Sequence, residues 1–512
     1  MGLGKGDNMK TKKIVSIFAC MLVCATVLMV AGITIAKNTL PIHAIPEIDW
    51  EQTYGGEKID WGSCVQQTSD GGYIISGTYY RNVWSLWYSY RYLIKLDANG
   101  NEQWHQTYGT YDRENVAQSV RQTSDGGYII AGYQGNGGDY DAILEKTDSQ
   151  GNSIWLKIFG QPQVFDMGRS VQQTSDGGYI LTGWTQSYDA SGSDAWLIKT
   201  DTNGNEQWNH TFGGAASESG NDVSQTSDGG YIIIGSTESF GNQGSADAWL
   251  IKTDANGNEQ WNTSFGGADY EDALNGQQTT DGGYVLVGTK PRLDGTTNIW
   301  IVKTDAEGMP QWESTFGGAD YDTGYSVQQT TDGGFFITGD YTDPSSGVPD
   351  MYVIKTDENG IEEWSKRIDK NQSEDRGYYG IQNADGDYII TGYTGAYMDE
   401  ASDVWLIKLV EETGEANIEI EITGGQGASA VISNTGTADA EQVSWTIEVH
   451  GGLFGRINKT GTGTIDHLAI GASETMTTGM FFGLGKIQVS VTAGDQSVTK
   501  EGIQFFTLTI IK

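Results

Sequence analysis

The chain has 512 residues, 37% hydrophobic and 19% charged, with 72 glycines and a formal net charge of −37 against only 30 lysines and arginines. So acidic a composition excludes nucleic acid, whose binding needs cationic groups to displace counterions, and leaves cations and neutral ligands such as glycans as compatible partners. Of three cysteines, Cys20 and Cys24 lie in an apolar run and Cys64 stands alone, which excludes a disulfide framework and a CxxC metal site.

The segment from Ile14 to Ala36 carries no charge over 23 residues and follows Lys10, Lys12 and Lys13. That length spans a bilayer as one apolar helix, and the preceding lysines favour export of everything after it. Residues 1–37 are therefore expected to be a transmembrane anchor, or a signal peptide cleaved after Ala36, with a linker over 38–47. Four N-x-S/T sequons, at Asn209, Asn262, Asn371 and Asn458, suit an exported glycoprotein.

One hairpin signature then recurs about every fifty residues, a period that marks propeller blades. Its copies include SCVQQTSDGGYIISG at Ser63, RSVQQTSDGGYILTG at Arg169 and, more divergent, YYGIQNADGDYIITG at Tyr378. The turn aspartates Asp70, Asp125, Asp176, Asp228, Asp281, Asp332 and Asp385 count seven units. Each unit reads as a polar strand, an SDGG turn, an apolar strand, a variable loop, a third strand (DAWLIKTD), an ANGN turn and a fourth strand (EQWNxTFGG). Asp-Gly and Asn-Gly between strand-like runs are strong hairpin signals. The second strand, such as Tyr179-Ile180-Leu181-Thr182, is apolar on consecutive residues, which predicts burial on both faces between neighbouring sheets. Trp104, Trp155, Trp208, Trp261, Trp312 and Trp364 recur at one position and Trp196, Trp249, Trp300 and Trp405 at another, as expected of packing residues.

The phase of the repeat predicts closure. An orphan fourth strand, Asp49 to Gly56, precedes the first unit, and the seventh unit stops after its third strand, Asp403 to Lys408. Pairing the two removes both free edges. The expected fold is all-β: a seven-bladed β-propeller over residues 48–410 closed by an N-terminal strand, a linker over 411–416, and a β-sandwich over 417–512. The SDGGYIITG, DAWLIKTD and NGNEQW strings resemble those of exported, Gly-rich β-propeller repeat proteins of archaea and bacteria. That resemblance implies architecture and says little about activity.

Both tight turns of each unit fall on one face, so the opposite face, with loops of variable length, is where a binding site is expected. Its first candidate is the segment that follows Thr78, where Tyr79, Tyr80, Trp84, Trp87, Tyr88 and Tyr90 crowd together with Arg81 and Arg91. Such aromatics suit a sugar ring or partner surface, or pack over the channel. The second is a set of acids at matching places in the inter-blade links, Asp60, Asp166, Glu218, Glu271 and Asp322, near a second series, Asp141, Asp194, Asp247, Asp350 and Asp403. These acids either cap turns or hold a hard cation such as calcium. With nine arginines in the chain, no carboxylate-binding arginine cluster is expected, and the aromatic segment is the one evident departure from the repeat. The five histidines show no metal spacing, and no nucleophile motif is present.

After Leu409 come eight strand-like runs, from ANIEIEIT to FTLTIIK, with the rhythm of an immunoglobulin-like sandwich. NTGTADAEQVSW, at Asn434, is similar to adhesion-type modules of prokaryotic surface proteins. The chain is thus expected to be a monomeric, non-enzymatic surface or secreted protein that binds a glycan, a cell-wall component or a protein, in contact with the membrane through residues 14–36 if these are retained. The alternative is a propeller enzyme acting on polysaccharide or a quinone-dependent dehydrogenase.

Overall fold

Each repeat folds locally on its two turns. Gly177 of an SDGG turn has φ 83° and Gly204 of the following Asn-Gly turn φ 73°, conformations that let a tight hairpin match the strand twist. The computed structural model describes residues 45–512 except 57–58, 84–85, 188–191, 242–244, 371, 396–401, 412–415 and 437. Within these residues the repeats form seven four-stranded antiparallel sheets. In the first sheet the order from one edge to the other is Trp61–Gln67, Tyr73–Val83, Leu86–Leu96 and Glu102–Tyr108, and in the third it is Asp166–Gln173, Tyr179–Thr185, Asp194–Thr200 and Glu206–Phe212. The first strands of successive sheets touch in a closed cycle, the seventh against the first, and so form the inner wall.

Burial follows from that stacking. Tyr179–Thr185 and Asp194–Thr200 are buried along almost their whole length, whereas the outer strand Ser153–Phe159 alternates with solvent. Trp196, Trp249, Trp300 and Trp405 are almost completely buried. The second tryptophan series lies between sheets: Trp155 meets Tyr179 of the next sheet with 5.9 Å between ring centres. It also covers Gly204, where an added Cβ would fall 2.6 Å from the indole.

The seventh sheet is completed from the other end of the repeat array. Its strands Asp375–Gln382, Tyr388–Thr394 and Asp403–Val410 are followed in the sheet by Glu47–Tyr54, with Gln52 opposite Leu406 and Tyr54 opposite Val404. Trp50 occupies the slot of Trp155, 6.2 Å from Tyr73 and against Gly100 of the first sheet. Tyr54 donates to the Gly100 carbonyl at 2.5 Å, as Tyr108 does to Gly151 at 2.6 Å. A cycle of glutamines ties the same joints: the side-chain carbonyl of Gln122 accepts from Ser69 N, and that of Gln67, in the first sheet, accepts from Ala384 N of the seventh. Five equivalent bonds link the sheets between, so every neighbouring pair is joined. This all-β arrangement is that of a propeller.

The turn aspartates serve the same scaffold. Asp176 accepts from Thr174 Oγ1, Gly178 N and the buried Lys199 Nζ, the last at 2.9 Å. Burial works to raise the Asp176 pKa, but these donors outweigh it and hold the carboxyl at about 2.

Two compact units are formed, His43–Asn417 with Gly436–Asp439, and Ile418–Thr435 with Ala440–Lys512. In the second unit a three-stranded sheet (Ile418–Thr423, Ser429–Asn434, Ser473–Thr477) shares a core with a six-stranded one. Ile422 and Ala430 of the former pack with Ile447, Val449, Val489 and Val491 of the latter. All eight strand-like runs of this region contain a strand. The apolar segment 14–36, and the helix expected there, lie outside the described residues; among the described residues no helix is long and apolar enough to cross a membrane.

Candidate functional site

The inner strand of every sheet carries a one-residue irregularity. In the third sheet Gly168 pairs with Gly183 and Ser170 with Thr182, which leaves Arg169 between them unpaired in the ladder. The same shift occurs between Gly62 and Cys64, Ala117 and Ser119, Gly220 and Asp222, Ala273 and Asn275, Gly324 and Ser326, and Gly377 and Tyr379. Small residues template it: a Cβ on Gly183 would fall 1.7 Å from the Met167 carbonyl oxygen, so the strands approach too closely there for a side chain. A bulge re-aims its side chain without breaking the sheet, and its identity is free to vary.

All seven bulge residues, Ser63, Gln118, Arg169, Asn221, Leu274, Tyr325 and Tyr378, line one cavity of about 520 Å³. This volume lies in the range of small-molecule sites. Three of the chain's nine arginines, Arg121, Arg169 and Arg376, line it as well. The view that only the aromatic segment departs from the repeat is therefore corrected. The arginines come from three different sheets, and closure of the ring is what brings them together.

Two of the three are engaged. Arg121 donates to Cys64 Sγ at 2.9 Å and to Tyr379 Oη at 2.9 Å. Arg376 pairs with Asp340, donates to Tyr325 Oη at 2.8 Å and binds Glu374 at 3.1 Å. Tyr393 also donates to Glu374, at 2.6 Å. Burial pushes Asp340 up to about 6 against the pull of Arg376. Arg169 is half-buried and makes no hydrogen bond or ion pair among the described residues; burial lowers its pKa. Beside it, Ser170 and Asn275 both donate to the buried Asp222 at 2.6 Å.

Burial holds Tyr379 at about 12 despite Arg121, and burial and Asp340 raise Tyr325 well above the ordinary phenol range, so neither is poised as a base at neutral pH. No histidine lines the cavity among the described residues.

The aromatic segment is a hairpin and not a loop. Tyr73–Val83 and Leu86–Leu96 pair continuously, Tyr79 opposite Tyr90 and Val83 opposite Leu86. Its described tyrosines are half-buried: Tyr79 lies 5.2 Å from Tyr92, Tyr80 5.8 Å from Trp61 on the cavity wall, and Tyr88 6.1 Å from Tyr111. Arg91 is withdrawn from any binding surface, being buried against Glu145 at 3.1 Å. The side chains of Trp84 and Trp87 lie outside the described residues.

The link acids are separate, one per joint, and each binds its own loop. Asp60 accepts from Gly56 N at 2.7 Å and Tyr80 N at 2.8 Å. Asp166 accepts from Gln161 N and from the Thr185 and Ser187 hydroxyls. Glu218 accepts from Gly214 N and Ser239 N, Glu271 from Gly267 N, and Asp322 from Gly318 N and Thr342 N. The second acid series faces the first across the joint. At Gly213, for example, an added Cβ would meet Asp194 Oδ1 at 2.0 Å and Glu218 Oε2 at 2.7 Å. Burial, and to a smaller extent Asp403, pushes Asp60 up to about 7. At one joint Asn115 replaces the acid and donates to Ser89 and Thr110 carbonyls. Asp350, Asp369 and Asp375 bring carboxylate oxygens within 4.8 Å of one another, the one such acid group among the described residues.

No family model matches the chain, and no curated protein matches it. Solved structures with a similar course of the chain include an ulvan lyase from a new family of polysaccharide lyases, at 9% identity and TM-score 0.44, covering 70% of this chain and 96% of that one. Drosophila Semaphorin 2a is 6% identical with TM-score 0.43, over 89% of this chain and 97% of that one. An endo-1,5-alpha-L-arabinanase from Thermotoga petrophila RKU-1 is 10% identical with TM-score 0.29, over 77% and 94% respectively. These are propeller-type proteins, and likeness at this level transfers no activity.

Proposed function

We propose that the chain is an exported, cell-surface or secreted binding protein: a seven-bladed β-propeller closed by its N-terminal strand, followed by an immunoglobulin-like module, that seats part of a glycan or cell-wall component in the central cavity. The observation that supports this most is the convergence of seven non-identical bulge residues on one cavity in an otherwise repetitive scaffold. The bulge accepts any side chain, so these seven positions can differ to fit a ligand without sevenfold symmetry. The hairpin tyrosines Tyr79, Tyr80, Tyr88 and Tyr90 would form part of the rim, since Tyr80 packs on the cavity residue Trp61, and Trp84 and Trp87 are proposed with them as ligand contacts. A glycan array probed with the chain lacking residues 1–37 tests the proposal: binding to a defined group of glycans supports it, and binding to none refutes it.

The same break in symmetry is the feature on which an enzyme would depend, so the second reading is a propeller enzyme acting on polysaccharide. Incubation of each bound glycan with the protein, followed by mass analysis, separates the two. Unchanged glycan supports binding alone, and shortened or unsaturated products support the enzyme. For the link acids Asp60, Asp166, Glu218, Glu271 and Asp322 we propose a calcium role at the joints, where a hard cation would neutralise carboxylates that otherwise face one another.

A further inference from the structure

We infer that the cavity ligand is anionic, a saccharide carrying a carboxylate or sulfate group that is gripped by Arg169; the inference rests on the cavity being the binding site. Three arginines reach the cavity, but their states differ. Arg121 spends its donors on Cys64, the Val120 carbonyl and Tyr379, and Arg376 is neutralised by Asp340 and Glu374. Arg169 alone among them has no partner within hydrogen-bonding or ion-pairing distance in the described residues. Its guanidinium lines the cavity with no protein acceptor, so its donors are open to a ligand there. Other bulges of the same ring carry Ser63, Asn221 or Leu274 with the same backbone, so the fold does not require an arginine at this place.

The surroundings favour an oxyanion over a neutral group. A guanidinium offers a planar fork of donors that matches the two oxygens of a carboxylate or sulfate. On the cavity wall Asp222 has its oxygens taken by Ser170 and Asn275 and is not free to serve Arg169 in the ligand's place. Asp272 acts on Arg169 through space only, its own carboxylate being bonded to Thr289 N. In a chain of net charge −37 an anion is disfavoured at long range, so a local cation is needed to admit one. Tyrosine hydroxyls and rings, with Trp61, supply surfaces that suit the sugar itself.

Isothermal titration of the chain lacking residues 1–37 with trigalacturonate, a sulfated galacto-oligosaccharide and neutral galactotriose tests this. Arg169→Gln and Arg169→Lys are titrated beside the wild type. The expected result is at least about tenfold tighter binding of one anionic probe than of galactotriose, with that ratio falling to about one in R169Q and only part-way in R169K. The ratio is read on folded protein, so a change in stability does not mimic it. Which anionic probe binds identifies carboxylate or sulfate as the source. Equal binding of anionic and neutral probes, or an unchanged ratio in R169Q, overturns the inference and leaves the cavity site standing. Binding of none of the three overturns the inference, and an empty glycan array beside it overturns the cavity site as well.

Discussion

If the strand Glu47–Tyr54 closes the ring, Trp50 should be worth as much to stability as an internal tryptophan of the same series. Trp50 and Trp155 make equivalent contacts, with Tyr73 and Gly100 in one case and Tyr179 and Gly204 in the other. For a half-buried indole, roughly 120 Å² of apolar surface at about 25 cal/mol/Å² gives about 3 kcal/mol, and the aromatic pair adds about 1 kcal/mol. At about 2.1 cal/mol/K of unfolding entropy per residue, a unit of this size would lose about 5 °C in Tm. Calorimetric melting of Trp50→Ala and Trp155→Ala, each with residues 1–37 removed, should therefore show similar drops of several degrees. A drop below about 1 °C for Trp50→Ala, with the full effect for Trp155→Ala, would refute closure by the N-terminal strand.

Stability should peak at mildly acidic pH. Asp176, Asp228 and Asp281 are held at about 2 by hydroxyl, lysine and amide donors that outweigh burial, so the stability they add is present above about pH 4 and is lost as pH falls toward 2. Asp60 and Asp375 are pushed up to about 7 and about 6 by burial; the folded state then binds their protons more tightly, and stability declines as pH rises from about 4 to about 7. A metal-free melting profile with its maximum near about pH 4 to 5 is expected, and one still rising at pH 7 would contradict these assignments. Millimolar calcium at pH 7 should raise Tm, by about 2.7 kcal/mol of stability at a hundredfold excess over Kd, and an unchanged melting curve would sink the cation proposal. Trp84→Ala combined with Trp87→Ala should remove glycan binding and leave Tm in place if the hairpin forms the rim; lost stability with retained binding would assign the hairpin to packing.

The scaffold was legible because its chemistry is repeated. Seven Asp-Gly turns, two tryptophan series and the phase of the two incomplete ends lead directly to the seven sheets and to the pairing of Glu47–Tyr54 with Asp403–Val410. The cavity was missed for the converse reason. Its residues are the ones that differ between copies, and attention to shared letters passes over Arg169, Asn221 and Tyr325, which follow Gly168, Gly220 and Gly324. A signal was present all the same: in every copy a glycine or alanine precedes one position of unrestricted identity, which is how a templated bulge reads in sequence. Arg121 and Arg376 lie too far apart in the chain to be linked before the ring is closed. The aromatic segment carries no Asp-Gly or Asn-Gly turn to mark it as a hairpin, yet Tyr79 pairs with Tyr90 and Val83 with Leu86.

The most direct test of the central claim, that function resides in the cavity and not in the repeated turns, is to fill the cavity and repeat the glycan array. Ser63 lines it from the first sheet, and Ser63→Trp would push an indole into it without touching a turn. Loss of the wild-type binding pattern with Tm changed by no more than a few degrees is the expected result. A folded Ser63→Trp variant that binds the same glycans as strongly as the wild type would contradict the account.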